Sequence, residues 1–231
     1  MVSRPSAKPV SREAIVSTAV ELMVERGLAA VTLRRIAERL NVSAPTLYWY
    51  IASKRELLDR VAEHLMRRGQ VKVVDRPVRG QPWWEWLEQR SRTMFEVMVS
   101  VRDAPQVVAG NRPTLDMLAG YDLALGELVA AGFPPREAQQ VFFVLGAYIG
   151  GMALEWQAEA ARGEAGADDS ALLAAAQDSA RYPHLAAAAA DWSPPQATFD
   201  YGLALLIRGI RDRHAELTGE AARAGEERLC R

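Results

Sequence analysis

The segment of residues 31–54 restricts the possible folds more than any other stretch, because it contains two helix starts separated by a single turn. Thr32 and Ser43 are hydroxyl residues of the kind that cap helix N-termini. Asn41, just before the second start, is a residue type that readily adopts the left-handed conformation at a helix end. Pro45 lies in the first turn of the second helix, where its missing N–H costs nothing. The pattern predicts a helix-turn-helix.

The second helix of this pair is predicted to expose an aromatic face. Leu47 and Ile51 point into the domain, and at about 100° per residue Pro45 and Trp49 fall on the opposite side. The flanking positions are Thr46, Tyr48 and Tyr50. Such a face needs a partner, and a DNA groove is one, because Tyr hydroxyls reach phosphates while Pro and Thr carbons contact thymine methyls. A protein groove is the alternative partner.

The charge distribution favours DNA as the partner of this end of the chain. Residues 1–68 carry 12 Lys and Arg against 7 Asp and Glu, a net charge of +5, whereas residues 69–231 carry 16 against 22, a net charge of −6. A basic segment is expected where counterion release drives DNA binding, although a merely solvated face has the same composition.

The compartment follows from what the sequence lacks. The single cysteine, Cys230, rules out an intrachain disulfide. No uninterrupted apolar run approaches the ~20 residues of a membrane span, and the N-terminus has no apolar core of a signal peptide. We therefore expect a cytoplasmic protein with no membrane partner.

The periodicity of the whole chain predicts an all-α fold with two domains. A flexible arm of residues 1–10 precedes a helix-turn-helix domain of residues 11–68, whose linking helix opens with a capping box from Ser53 to Glu56. A loop of residues 69–82 opens an effector-binding and dimerisation domain of residues 69–218, and residues 219–231 form a frayed tail. Other helices are predicted at residues 11–26, 82–101, 104–109, 114–131, 136–161, 170–180 and 196–217. Residues 162–195 are the least determined.

A family resemblance is carried by the residues PTLYWY followed by SKRELLD. From about residue 11 to residue 65 the chain resembles the DNA-binding domain of the TetR family of transcriptional regulators, in particular its tetracycline-repressor-like branch. The similarity continues more weakly through RDAPQVVAGNRP and GGMALEWQ. It implies a homodimeric, ligand-responsive repressor that a small hydrophobic molecule releases from a palindromic operator in double-stranded DNA, with no cofactor. The sequence alone does not distinguish repression from activation.

The resemblance also implies individual DNA contacts. The position of Arg34 reaches a guanine edge in similar repressors, which suits a guanidinium group, and the positions of Tyr48 and Lys54 contact phosphates on both flanks. Ala44 and Tyr50 stand where the branch has Gln and His, so its operator sequence does not transfer. The predicted DNA-binding set is Thr32, Arg34, Ala44, Pro45, Thr46, Tyr48, Trp49, Tyr50 and Lys54.

Aromatic and methionine residues recur at helical spacing in the larger domain. Most of them are expected in the core, while a minority line the small-molecule pocket that the resemblance implies. The turn of residues 108–113 would then transmit ligand binding to the helix-turn-helix domain of residues 11–68, called the head below. Pockets are mostly apolar with few polar anchors, and the available anchors are Arg90, Asn111 and Glu155. The predicted effector-binding set is Trp86, Arg90, Met94, Val108, Asn111, Tyr121, Phe142, Ala147, Gly151 and Glu155.

Neither a metal ion nor catalysis is expected. Members of the branch hold a magnesium–drug chelate with histidines, and the matching positions here are Gln70, Val108 and Ala147, which do not replace histidine ligands. The sequence has no Gly-rich phosphate loop, zinc motif or Ser/His/Asp set, so we expect no enzyme. The alternative is an all-helical ligand-binding or catalytic module whose head mediates a protein interaction.

Two predicted helices, residues 136–161 and 196–217, are apolar over more than one stripe, which is too wide for the surface of a monomer. Gly146, Gly150 and Gly151 allow another helix to approach closely. We predict that both helices pair with their copies in a second chain as a four-helix bundle, which the resemblance also implies. The predicted dimerisation residues are Leu145, Ile149, Leu203 and Ile207.

Overall fold

The computed structural model describes residues 10–72, 76–110, 113–164, 170–190 and 195–229, and within these ranges every regular element is helical. The all-α prediction is therefore confirmed. A 3-10 turn at Leu28–Ala30 follows the first helix. The α-helices are α1 Arg12–Arg26, α2 Leu33–Leu40, α3 Ala44–Tyr48, α4 Lys54–Lys72, α5 Trp83–Ser100, α6 Ala104–Val108, α7 Leu115–Ala131, α8 Pro135–Glu164, α9 Ser170–Ala176, α10 Pro183–Ala190 and α11 Pro195–Leu229.

The helix ends in the head follow from local chemistry. Ser11 Oγ accepts a hydrogen bond from the N–H of Ala14 at 3.2 Å, and Thr32 Oγ1 accepts one from the N–H of Arg35 at 3.3 Å. Asn41 ends α2 in the left-handed conformation, with φ 54°. Both caps satisfy backbone groups that a helix end leaves without partners. The predicted start of α1 and both predicted ends of α2 are confirmed.

Several helix bounds differ from the predictions. α4 continues to Lys72, beyond residue 68, and α11 continues to Leu229 instead of ending near residue 217. α9 ends at Ala176, four residues before the predicted end, and α10 was not predicted, although the alanine run in it has high helix propensity. The predicted arm lies outside the described residues except for Val10.

One set of buried apolar side chains connects the head to the larger helical part. It runs from Ile15 of α1 through Leu57 and Leu65 of α4 to Trp86 of α5, and continues into α8 and α11. At its far end, the Phe95 ring stacks on Phe199 with centroids 3.8 Å apart and meets Trp156 edge-on at 5.8 Å. The orientation of the head is therefore set by core packing.

The predicted dimerisation residues face inward. Leu145, Ile149, Leu203 and Ile207 are 0–5% exposed and pack inside one chain, so little of their surface is left for a contact between chains. The closeness of α8 and α11 explains this burial: the Tyr148 hydroxyl donates to the Phe199 carbonyl at 2.8 Å, and a Cβ at Gly202 would collide with the Tyr148 ring. The large apolar side chains that α8 and α11 expose to solvent include Phe143, Val144, Leu154, Tyr201 and Leu205.

The outer face of α8 makes this helix unusually apolar. By length and composition alone Pro135–Gly163 could cross a membrane. Its most apolar stretch of 18 residues has a mean hydropathy of 1.3, and only 17% of that stretch is buried. A single helix of this kind is weak evidence for a membrane span, since core helices of soluble proteins have the same composition. An exposed apolar face of this kind indicates a partner that binds α8 and excludes water from it.

Candidate nucleic-acid interface and ligand site

The exposed face of α3 is built as the sequence predicted. Leu47 and Ile51 are fully buried, whereas Trp49 is 88% exposed and Tyr48 is 56% exposed. An indole ring standing in water contributes nothing to folding, because its apolar area is removed from solvent only by a partner. Pro45 is exposed, and Ala44, Thr46 and Tyr50 are half-buried around it. All six predicted contact residues of this segment thus lie together around one exposed surface.

The cap of α3 differs from the prediction. The Ser43 hydroxyl makes no backbone cap and instead lies 2.7 Å from the Thr46 hydroxyl, with which it shares a hydrogen bond. The helix is closed by backbone hydrogen bonds from Tyr50 N–H and Ile51 N–H to the Leu47 carbonyl, each 2.9 Å. A helix of five residues has little stability of its own. Its position therefore depends on its neighbours.

Arg34 lies on α2 beside this surface. Its Nε is 3.0 Å from Oε1 of Glu38, one turn along the same helix, and the two side chains are 86% and 60% exposed. An exposed ion pair of this type contributes little, typically below about 1 kcal/mol. The guanidinium can therefore leave Glu38 for another acceptor, such as a guanine edge, at small cost.

Lys54 is held at the start of α4 by a variant of the predicted capping box. The Ser53 hydroxyl accepts from Glu56 N–H at 3.1 Å, as predicted, but the Glu56 carboxylate accepts from the N–H of Ala52 at 2.8 Å, one residue earlier than in the standard motif. This backbone hydrogen bond, with the guanidinium of Arg60, keeps the pKa of Glu56 below its usual value. Lys54 is exposed in the first turn of α4, and a cation at a helix N-terminus suits a phosphate.

A joint between the head and the larger helical part was missed by the sequence reasoning. Asp103, between α5 and α6, accepts a hydrogen bond from the N–H of Leu28 in the head at 2.6 Å. Its own N–H donates to Gln157 Oε1 of α8 at 2.8 Å, and Gln157 Nε2 donates to the carbonyls of Met98 and Val101 at 2.9 and 2.8 Å. The only local signal was an Asp before Ala-Pro at a helix start.

Two further hydrogen bonds connect α4 to the segment around α6 and α7. Arg55 donates to the Gly110 carbonyl at 3.3 Å, and the Thr114 hydroxyl donates to Glu63 at 2.9 Å. Gly110 belongs to the turn of residues 108–113 that was predicted to transmit ligand binding. Within that turn, Val108 is half-buried at the end of α6, and Asn111 lies outside the described residues.

Five predicted effector-binding residues form one cluster in the larger part. The rings of Trp86 and Phe142 meet edge to face with centroids 6.4 Å apart, and the Arg90 guanidinium lies 5.8 Å from the centre of the Trp86 ring. Burial raises the pKa of Tyr121, and the charge of Arg90 acts against this rise. Met94 is buried one turn beyond Arg90 on α5. An apolar wall with one cation and one phenol is a suitable lining for a small aromatic molecule.

The remaining effector-binding candidates do not join this cluster within one chain. Ala147, Gly151 and Glu155 recur every four residues along the exposed face of α8, about 200° from the buried stripe that contains Leu145 and Ile149. An open depression of about 330 Å³ lies elsewhere, between α1 and α4 and next to His64. In the described part of the chain, no three His, Cys, Asp or Glu side chains are grouped to hold a metal ion.

Both halves of the chain match family models. Residues 15–61 match the model described as bacterial regulatory proteins, tetR family, and residues 76–214 match the tetracyclin repressor-like C-terminal domain. Tetracycline repressor protein class C of Escherichia coli is 31% identical over 201 residues, which cover 87% of this chain and 90% of that protein.

Solved structures resemble the whole arrangement of helices. A single-substitution variant of TetR from Acinetobacter baumannii AYE, in complex with minocycline, has a TM-score of 0.71 at 27% identity and covers 89% of this chain and 98% of its own. A possible TetR family transcriptional regulator from Streptomyces coelicolor A3(2) has a TM-score of 0.73 at 32% identity, with coverage of 87% and 99%. The similarity therefore includes the head, the larger helical part and their order.

Proposed function

The chain belongs to the TetR family of bacterial regulatory proteins, and from this premise we propose that it is a repressor that a small hydrophobic molecule releases from a palindromic operator. The observation that carries the proposal is the face of α3, where Trp49 and Tyr48 stand exposed beside Lys54 on a helix-turn-helix. A DNA groove covers such a face and supplies phosphates for its hydroxyl and ammonium groups. We assign the protein to the cytoplasm, where its DNA is found, and assign it no catalytic activity.

A homodimer supplies the second half of the operator contact. The outer faces of α8 and α11 expose Phe143 at 77% and Tyr201 at 68%, and a second copy is the partner that covers them symmetrically. Gly146 and Gly151 have open space where a Cβ would stand, so another helix can approach there. A two-fold dimer sets two recognition helices about 34 Å apart, one turn of DNA, and so reads a palindrome.

The ligand site is proposed around Trp86, Arg90, Tyr121 and Phe142. A related structure is described in complex with minocycline. For this chain we propose an aromatic or otherwise hydrophobic ligand without a metal ion, because two of the residues at the family's histidine positions, Val108 and Ala147, have no ligating side-chain atom and the third, Gln70, offers only a neutral amide oxygen. Ala147, Gly151 and Glu155 would reach this ligand from the partner chain across the dimer interface.

Release is proposed to pass through the joint between the two parts. The hydrogen bonds from Leu28 to Asp103 and from Arg55 to Gly110 connect the head to the elements beside the ligand cluster. A ligand that moves α6 or α8 changes these contacts and turns the heads away from the spacing that the operator requires. The ligand acts only to the extent that it prefers the turned state over the DNA-bound one.

Substitutions on the head test DNA recognition. Arg34→Ala should weaken operator binding by about 1–3 kcal/mol and relax the preference at one base pair, because a bidentate guanine contact is lost. Tyr48→Phe and Lys54→Ala should weaken binding to all sequences alike. Lys54→Ala should also reduce the salt slope, the steepness with which log affinity falls against log salt concentration, by about 1. Fluorescence anisotropy against single-base variants of a duplex selected from random DNA measures both effects.

Arg35→Ala is the matched control, since Arg35 is equally exposed on the same turn of α2 and has no assigned contact. Equal losses on every duplex for Arg34→Ala would contradict its role in base reading. An affinity for duplex DNA that does not fall with salt would instead favour the protein-interaction head, because phosphate neutralisation always brings salt dependence.

A further inference from the structure

The segment that follows α3, the proposed recognition helix, is hydrogen-bonded to the start of α1. Arg12, the first residue of α1, donates a hydrogen bond from Nε to the carbonyl of Tyr50 at 3.1 Å, across 38 residues of sequence. Tyr50 follows α3 by two residues, so its carbonyl lies just beyond the helix and accepts its hydrogen bond from another helix. A cation at this end also complements the partial negative charge of the helix C-terminus.

The hydrogen bond from Arg12 is important for α3 because this helix is short. With five residues, the helix has a single turn, and its aromatic surface is mostly in water. Leu47 and Ile51 fix the buried side of the segment that contains Trp49 and Tyr50, and the backbone hydrogen bonds from Tyr50 and Ile51 to the Leu47 carbonyl all lie within it. The hydrogen bond from Arg12 is a directed contact on that segment from another helix.

The surroundings of Arg12 hold its guanidinium at this place. Glu56 accepts from Arg60 Nε at 3.1 Å and from Ala52 N–H at 2.8 Å, and it is attracted electrostatically by Arg12 as well as by Arg60. Glu13 is likewise attracted by both arginines. Glu56 and Arg60 therefore lie at the turn before Lys54, within electrostatic range of Arg12 and Glu13 at the start of α1.

We propose that Arg12 is a positioning residue for operator recognition, which holds the end of α3 through the Tyr50 carbonyl so that Trp49 and Tyr50 meet the groove in one orientation. The proposal rests on the function proposed above, since it concerns the same DNA surface. Arg12 acts through the backbone of α3 and not as a contact to a phosphate.

A pair of variants with the same charge separates these two roles. In Arg12→Gln the side-chain Nε2 lies as many bonds from the backbone as Arg Nε, so the donor to Tyr50 is kept while the charge is lost. In Arg12→Met the terminal carbon has the same place, so both donor and charge are lost. Any difference between the two variants therefore reports the hydrogen bond alone.

The measurement is affinity for a duplex that the wild-type protein selects from random DNA, together with affinity for a shuffled duplex and the salt dependence of both. We expect Arg12→Met to bind the selected duplex about five- to tenfold more weakly than Arg12→Gln, since one hydrogen bond is lost in each head. The shuffled duplex should not distinguish the variants. Amide exchange at residues 50–52 should be faster in Arg12→Met, while the melting temperatures of the two variants should stay within a few degrees.

Two results would overturn the proposal. If both variants lost affinity equally and each lowered the salt slope by about 1, Arg12 would contact a phosphate directly. If both bound like the wild type, the hydrogen bond would have no role in recognition. A wild-type protein that does not discriminate between selected and shuffled duplexes would contradict the proposed function itself, which is a different outcome from either of these.

Discussion

Phe143→Arg is expected to leave the protein as a monomer of 25.4 kDa and to abolish tight operator binding. Phe143 is 77% exposed on the outer face of α8, next to Val144, so the substitution does not disturb the core. In the proposed dimer the new charge is buried against an apolar surface, which costs several kcal/mol. A single head then binds one half-site without the gain from linkage, a loss of about 100-fold or more. Sedimentation and anisotropy titration measure the two effects.

Leu115→Arg is the matched control, because Leu115 is an exposed apolar residue, 85% accessible, on α7 and not on α8 or α11. It should remain a dimer and bind the operator normally. Leu203→Arg does not test the interface, since Leu203 is fully buried and the charge would unfold the chain. A Phe143→Arg monomer that still bound the complete palindrome tightly would contradict the proposed dimer.

Gln157→Leu is expected to lower the free energy of unfolding by about 2–4 kcal/mol, because it removes three hydrogen bonds from partly buried backbone groups, of which, among the described residues, only the Val101 carbonyl keeps a second hydrogen bond, from the N–H of Ala104 at 3.1 Å. The three groups are the carbonyls of Met98 and Val101, at the end of α5, and the N–H of Asp103. Since Asp103 also holds Leu28, the variant should in addition respond less to ligand than the wild type does. Urea unfolding and ligand-dependent release from the operator measure the two effects.

Glu159→Gln is the control for Gln157→Leu, because Glu159 is an exposed residue of the same helix. It should change neither stability nor ligand response. A Gln157→Leu protein with unaltered stability would show that the backbone groups released by Gln157 find other partners. A large loss of stability with a normal ligand response would separate the structural role of the joint from its role in transmission.

Local chemistry made the head predictable. Thr32, Asn41 and Leu47 act within one or two turns of their own position, so their roles can be deduced from residue type and spacing alone. The exposed face of α3 followed from the same helical period. The Ser43 hydroxyl departs from its expected cap because Thr46 offers a competing hydroxyl, a choice that residue type does not decide.

Long-range contacts made the larger part less predictable. Helix α8 is apolar on two sides, so periodicity could not decide whether the stripe with Leu145 and Ile149 or the stripe with Phe143 faces the core. The tie between Asp103 and Leu28 joins residues 75 positions apart, and no pattern in either segment indicates the other. The effector candidates were divided for the same reason: Trp86 and Phe142 came together, whereas Glu155 faced outward.

Buried side chains continue without a gap from α1 through α4 into α5, so the direction of α3 depends on core volume and not on a loose linker. In the proposed dimer, the preference for a base and the distance between the two DNA-reading surfaces would consequently depend on different residues. Exposed positions of α3 determine the first, and buried positions where α4 meets α5 determine the second. During evolution, related chains can therefore keep their base preference while the distance between the two half-sites changes. They can equally keep that distance while the base preference changes.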